Sequence, residues 1–286
     1  MKQPLHLRAL RPGDLPFADS LRATVGWNQT LVDWQRFLAM EPEGCFLARW
    51  DGVPVGTATT LRYGSEVAWI GMVLVHPDHR RRGIGRALLN HCIAWLQERR
   101  VRCIKLDATP AGKQVYDALG FKDEWTLARW EHAGLQVAKP SEARVRAWDA
   151  SDTRLSGSLD AVAFGVSRER LAEALARQSR LALVLETAPG HMAGYGLIRS
   201  GSRATYLGPI VATSDKVGLQ LVQALLANSP GEGVFWDIPD TNFAAVDSAR
   251  QHGFSQQRML TRMYLGENSA PSNPRQQFAL AGPEVG

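Results

Sequence analysis

The passage that most constrains this chain runs from Val73 to Leu89, VLVHPDHRRRGIGRALL. An apolar strand enters a basic turn, and the turn opens directly into an amphipathic helix. The first N–H groups of a helix have no partner within it, and the helix dipole adds partial positive charge there. An anion therefore binds well at such a terminus. Gly83 and Gly85 carry no Cβ, so the backbone can curl closely around a phosphate. Arg80, Arg81, Arg82 and Arg86 add charge, and a guanidinium can grip phosphate with two parallel hydrogen bonds. Apolar residues then recur at Leu88, Leu89, Cys92, Ile93 and Leu96 with helical spacing. The passage contains neither the glycine-lysine pattern of a nucleotide P-loop nor the GxGxxG of a dinucleotide fold.

The wider pattern is Val75-x-Pro77-x-x-Arg80-x-x-Gly83-x-Gly85, followed downstream by Tyr116-Asp117-Ala118-Leu119-Gly120-Phe121. The first element resembles the acetyl-CoA signature of the GNAT superfamily of N-acetyltransferases, and the second resembles that family's Tyr-x-x-x-Gly-Phe. The resemblance covers about Leu5 to Glu131. It implies acetyl-CoA as acetyl donor. The cofactor-binding residues it implies are Val73, Leu74, Val75, Arg80, Arg81, Arg82, Gly83, Ile84, Gly85, Arg86 and Ala87. It implies that the fourth and fifth strands splay to admit the thioester, with Tyr116 as the general acid that protonates the departing thiolate. The segment Gly26-Trp27-Asn28 would border the acceptor pocket, making Trp27 and Asn28 substrate candidates. The amine must lose a proton before it attacks. Glu66, ahead of the central strand, and Asp107, on the next one, are candidate bases, and a water chain is the alternative.

Composition narrows the remaining classes. No run of about 18 apolar residues predicts a membrane span. Met1-Lys2-Gln3-Pro4 leads straight into a strand, so no signal peptide is expected. Three cysteines, Cys45, Cys92 and Cys103, in apolar surroundings fit a reduced, cytoplasmic protein. The formal charge of +5 is spread out rather than gathered into a stripe with aromatics, so nucleic acid is not an expected partner. His76 and His79 resemble a metal pair, but no further ligands cluster near them in sequence and no metal is expected.

The chain reads as two similar halves. In the first, a strand spans Leu5 to Leu10, a helix Leu31 to Met40 and a strand Cys45 to Trp50. Asp51-Gly52 turns into a partner strand from Val53 to Leu61, and another strand spans Trp69 to Val75. Trp69-Ile-Gly-Met-Val-Leu-Val75 aligns with Tyr206-Leu-Gly-Pro-Ile-Val-Ala212, which places Gly71 on Gly208. Val55-Gly56 falls on Ala193-Gly194, Asp107 on Asp237, Gly120-Phe121 on Gly253-Phe254, and Arg129 on Arg262. An internal repeat is the simplest account. The second copy has lost the arginine cluster, and Ala249 stands where the first copy has Tyr116.

The expected fold is mixed α/β: two tandem GNAT-like domains, each a mixed, mostly antiparallel sheet flanked by helices. Residues 1–137 form the catalytic domain and 138–266 the degenerate one, with a linker near Ala138 to Ala143. Residues 267–286, rich in Ser, Asn, Pro and Gln, are expected to be a flexible tail. The expected activity is acetyl transfer from acetyl-CoA to the primary amine of a small molecule or amino acid, by a monomer or homodimer. A protein lysine or N-terminal acetyltransferase and a non-catalytic acetyl-CoA sensor are the alternatives.

Overall fold

The computed structural model describes residues 5–134, 137 and 145–286. The expected linker at Ala138 to Ala143 and the leading Met1 to Pro4 lie outside the described residues. The first half runs β1 (Leu5–Ala9), α1 (Leu15–Thr24), α2 (Leu31–Met40), β2 (Cys45–Trp50), β3 (Val53–Tyr63), β4 (Val67–Val75), α3 (Ile84–Glu98), β5 (Cys103–Ala108), α4 (Pro110–Asp117) and β6 (Lys122–His132). The second repeats the plan with β7 (Val145–Ala147), α5 (Asp152–Ala163), α6 (Glu169–Gln178), β8 (Leu181–Ala188), β9 (His191–Arg199), β10 (Thr205–Ala212), α7 (Asp215–Leu226), β11 (Val234–Pro239), α8 (Phe243–Gln251) and β12 (Ser255–Gly266). A further strand, β13, spans Gln277–Ala279.

Local chemistry explains several of these boundaries. The Asp33 carboxylate accepts from the Thr30 N–H at 2.6 Å and opens α2, whose Trp34 and Phe37 are buried. Asp51 and Gly52 both take positive φ, +48° and +82°, as a two-residue hairpin between β2 and β3 requires. Leu88, Leu89, Cys92 and Leu96 form the buried stripe of α3. No helix among the described residues is long and apolar enough to cross a membrane.

All the strands join one sheet of thirteen, in the order β1-β2-β3-β4-β5-β12-β6-β11-β10-β9-β8-β7, with β13 pairing with β10 off that path. The mixed α/β architecture and the two repeated halves are as expected. The last strand of each half is nevertheless exchanged. β12 lies between β5 and β6, and β6 lies between β12 and β11, all antiparallel. The repeated Asp and Arg therefore pair across the halves. Arg262 on β12 donates to both Asp107 oxygens at 2.9 Å, while Arg129 on β6 donates to Asp237 at 2.8 and 2.6 Å.

The aligned glycines have aligned causes. A Cβ at Gly56 would stand 2.7 Å from the Leu74 carbonyl oxygen, and one at Gly194 would stand 2.8 Å from that of Val211. Leu74 and Val211 occupy matching places on β4 and β10. Such close strand-to-strand approach admits no side chain, so the repeat is a packing identity as well as a sequence one.

The expectation of a flexible tail after Gly266 is not met. Phe278, Ala279, Leu280, Ala281 and Val285 are buried. β13 pairs antiparallel with β10, with Ile210 opposite Ala279 and Val211 opposite Gln277. The segment then crosses both halves: a Cβ on Gly208 would meet the Leu280 carbonyl oxygen at 2.2 Å, and one on Gly71 would meet that of Glu284 at 2.4 Å. Trp69 Nε1 donates to the Pro283 carbonyl at 2.9 Å and the Tyr63 hydroxyl to that of Val285 at 2.7 Å. The polar composition of residues 267–276 conceals a short apolar run, Phe278 to Ala281, whose burial depends on the groove that receives it.

Candidate active site

β4 and β5 are parallel and pair only from Val67 to Trp69 and from Cys103 to Lys105. Beyond Trp69 they part, which is the expected splay. A bulge marks the divergence: Met72 has φ +50°, the β3–β4 register shifts between Thr57 and Thr59, and the Thr57 hydroxyl donates to the Met72 carbonyl at 2.9 Å. The opening leads into a cleft of about 610 Å³. Its walls include Val73, Leu74, Val75, Arg80, Arg81, Gly83, Ile84, Gly85 and Arg86 from the strand and turn, and Asp107, Thr109, Gly112 and Tyr116 from β5 and α4.

The turn is a cradle of unpaired donors. Arg81 and Gly83 take the left-handed conformation, at φ +61° and +77°. The first backbone bond of α3 is Ala87 N–H to Gly83 carbonyl, 2.9 Å. The N–H groups of Arg81 through Arg86 have no acceptor among the described residues. That is a larger set of free donors than the first turn of an ordinary helix offers, and the +5 chain places three arginines beside it.

Two of the expected cofactor residues do not line the cleft. Arg82 turns away, its guanidinium 5.4 Å from the centre of the Trp50 ring. Ala87 uses its N–H inside the helix.

Tyr116 lies in the cleft wall on α4, with its ring edge-on to Phe121 at 6.0 Å. Burial, with a small contribution from Cys92, pushes its phenol up to about 12. The hydroxyl therefore keeps its proton across the neutral range, the state required of a proton donor.

The two candidate bases fare differently. Glu66 sits in the turn before β4, away from the cleft, bonded to Arg102 at 3.0 Å. Asp107 does line the cleft, but its carboxylate is fully buried and both oxygens are held by Arg262. Burial pushes Asp107 up and the Arg262 charge pulls it back, leaving it raised. Its geometry is that of a structural clamp between the halves.

Of the two substrate candidates, Trp27 lines the cleft and Asn28 does not. The Asn28 side chain is buried against the β9–β10 connection, donating to the Ala204 carbonyl at 2.9 Å and accepting from the Arg203 and Ala204 N–H groups at 3.0 Å. It fastens the two halves together. The sequence reading missed Gln29, Arg258, Leu260, Pro283 and Glu284, which also form walls. The last four come from the second half and its trailing segment, and no local motif marks them.

Residues 17–121 match the profile of the Acetyltransferase (GNAT) family, and residues 157–279 match that of an Acetyltransferase (GNAT) domain. The chain belongs to the GNAT family. Among similar proteins, an uncharacterised N-acetyltransferase of Bacillus subtilis, YitH, is 27% identical over 218 residues, covering 76% of each chain. The holothin acyltransferase of a Pseudoalteromonas species is 26% identical over 269 residues, covering 91% of this chain and 87% of that one. A crystal structure from Pyrococcus horikoshii, described as a candidate acetyltransferase, superposes with a TM-score of 0.84 at 26% identity, covering 100% of this chain and 97% of that one.

Within this tandem GNAT protein, the second copy of the site is filled. β10 and β11 are parallel and pair only over Thr205–Leu207 and Val234–Trp236, then part as β4 and β5 do. β13 occupies that gap. The Phe278 ring lies where a Cβ on Gly218, in the first turns of α7, would stand 2.4 Å away, and Trp236 Nε1 donates to the Phe278 carbonyl at 2.7 Å.

Proposed function

We propose that the first half transfers an acetyl group from acetyl-CoA to the primary amine of a small molecule or amino acid. The observation that carries this reading is the run of unpaired N–H groups from Arg81 to Arg86, flanked by arginines and opening into the same cleft as Tyr116. Those donors suit the pyrophosphate of a coenzyme A ester. Val73 to Val75 lie along the opening, where a pantetheine arm could pair with exposed strand edge. Binding donor and amine together removes much of the entropic barrier. A backbone N–H near the Met72 bulge could polarise the thioester carbonyl. Tyr116 would then protonate the leaving thiolate. Buried, unpaired Cys45, Cys92 and Cys103 fit a reducing compartment such as the cytoplasm.

The test is thiol release from acetyl-CoA by the purified protein across a panel of free amines, with peptides as the contrast. Turnover on free amines supports the proposal. Turnover on peptides alone would make it a protein acetyltransferase. Tight acetyl-CoA binding with no turnover on any amine would make it a sensor.

A further inference from the structure

Away from the basic turn, two charged side chains of the cleft wall, Glu284 and Arg258, have no ion-pair partner among the described residues. Glu284 is only 5% exposed, and its carboxylate accepts from one side chain, Gln29 Nε2 at 2.7 Å. Arg258 sits on β12 directly opposite Arg129. Arg129 is satisfied by Asp237, whereas the Arg258 Nε has no acceptor among the described residues. Like charges facing each other across a strand pair repel. Burial and the Arg129 charge accordingly pull Arg258 down to about 10. Glu284 and Arg258 make no contact with each other, yet each lies within the other's field. Both line the same cleft.

The setting of Glu284 fixes which end of a ligand it would meet. Its backbone presses on Gly71, next to the Met72 bulge and the splayed edge of β4. Its electrostatic neighbours are Asp33 and Arg36 on α2, which pair with each other, and Arg199 on β9, whose guanidinium donates to the carbonyls of Gly208 and Ala281. Tyr63 on β3, Tyr206 on β10, Arg129 on β6 and Arg258 on β12 act on it from further away. Burial outweighs the nearby arginines and holds the Glu284 carboxyl above the usual glutamate range.

We propose that the acceptor is a small zwitterion of the amino-acid type, with its ammonium against Glu284 and its carboxylate against Arg258. The proposal rests on the acyl-transfer reading above and assigns both specificity contacts to residues supplied by the second half. An unpaired acid and an unpaired arginine in one cleft match a ligand bearing both charges, and each would regain the partner the fold withholds. In the reaction the ammonium gives one proton to Glu284. The freed lone pair forms the C–N bond at the acetyl carbonyl carbon, and the C–S bond breaks with its electrons on sulfur. The thiolate takes the Tyr116 proton, the second nitrogen proton returns to Tyr116 through water, and Glu284 releases its proton to solvent. The balance is one amide, one thiol and one proton.

The test compares thiol release from acetyl-CoA with each common L-amino acid and with its α-carboxamide, using the full chain. The expected result is at least one amino acid preferred over its amide by about 10- to 100-fold in kcat/KM. Arg258→Met should raise KM for that amino acid by a similar factor and erase the preference, while Arg258→Lys keeps part of it. Glu284→Gln should lower kcat and remove the acidic limb of the pH profile, with acetyl-CoA affinity by calorimetry unchanged. Amides used as well as acids, a preference that survives Arg258→Met, or turnover confined to amines without a carboxylate would each overturn the proposal while leaving acyl transfer standing. Failure of the wild-type protein to bind acetyl-CoA would instead overturn the acyl-transfer reading itself.

Discussion

The two halves make the same opening between their fourth and fifth strands and put different things in it. In the first half, β4 and β5 part beyond Trp69 onto a cleft lined by Arg80, Arg81 and Arg86. In the second, β10 and β11 part beyond Leu207 and receive β13, with Phe278 packed against Gly218. Splayed strands leave backbone donors and acceptors that must be satisfied somehow. The second half fills the opening with its own chain, and the first leaves it open as a cleft. The splay is thus a property of the repeated fold, and the halves differ in what occupies it and in the turn beside it.

The exchanged strands offer the most forceful way to break this comparison. Asp237→Asn leaves Arg129 charged and uncompensated in the core, and should cost about 3–5 kcal/mol of stability in urea or thermal unfolding. A loss under about 1 kcal/mol would show that the halves are not locked by this pair. The pH dependence has a definite sign. Burial alone would raise Asp237, but the charge and hydrogen bonds of Arg129, with Arg258 and the Tyr206 hydroxyl, hold it below the usual carboxylate value. Its contribution is therefore complete above about pH 4, the unfolded carboxyl's range, and is lost as pH falls through the lower folded value. The melting temperature of the wild type should drop in that acid window, and that of Asp237→Asn should drop less.

Phe278→Ala tests the filled opening. Removing a fully buried ring should cost about 3–5 kcal/mol. Donor stoichiometry by calorimetry should stay at about one per chain, because the second half lacks the arginine-lined turn whether or not β13 is seated. A second binding event would mean that the chain segment alone blocks that copy.

Tyr116→Phe sharpens the chemistry of the open half. Turnover should fall about 10²-fold or more while acetyl-CoA affinity is retained. Near-normal turnover would remove Tyr116 from the mechanism. The smallest effect separates neighbouring arginines: Arg86→Ala should weaken acetyl-CoA binding by about 10-fold or more through a lost charged hydrogen bond. Arg82, turned onto Trp50, should tolerate alanine with a change within about threefold in the same titration.

Much of this was legible from local patterns. α2 follows from its apolar spacing, the β2–β3 hairpin from Asp51-Gly52, and the basic turn ahead of α3 from its glycines and arginines. The repeat was legible too, down to the matching of Asp107 with Asp237 and of Arg129 with Arg262. Which aspartate meets which arginine was not. Each half contains one of each, and only the pairing of β6 with β11 and of β12 with β5 sends every arginine to the other half's aspartate. Asn28 illustrates the same limit: the family resemblance put its loop at the acceptor pocket, but its side chain donates to a carbonyl 176 residues away in sequence.

By itself, the sequence determined the local elements, the doubled plan and the single turn rich in arginine and glycine, because each is written in residues close together in the chain. The tertiary structure alone decided that residues 277–286, apart from Pro283, are buried, that Glu284 and Arg258 reach the first half's cleft, and that the second opening is closed. The physical reason is that a short apolar run has no fixed conformation of its own. It becomes ordered only where a groove built by distant strands supplies the surface that buries it and the partners for its backbone.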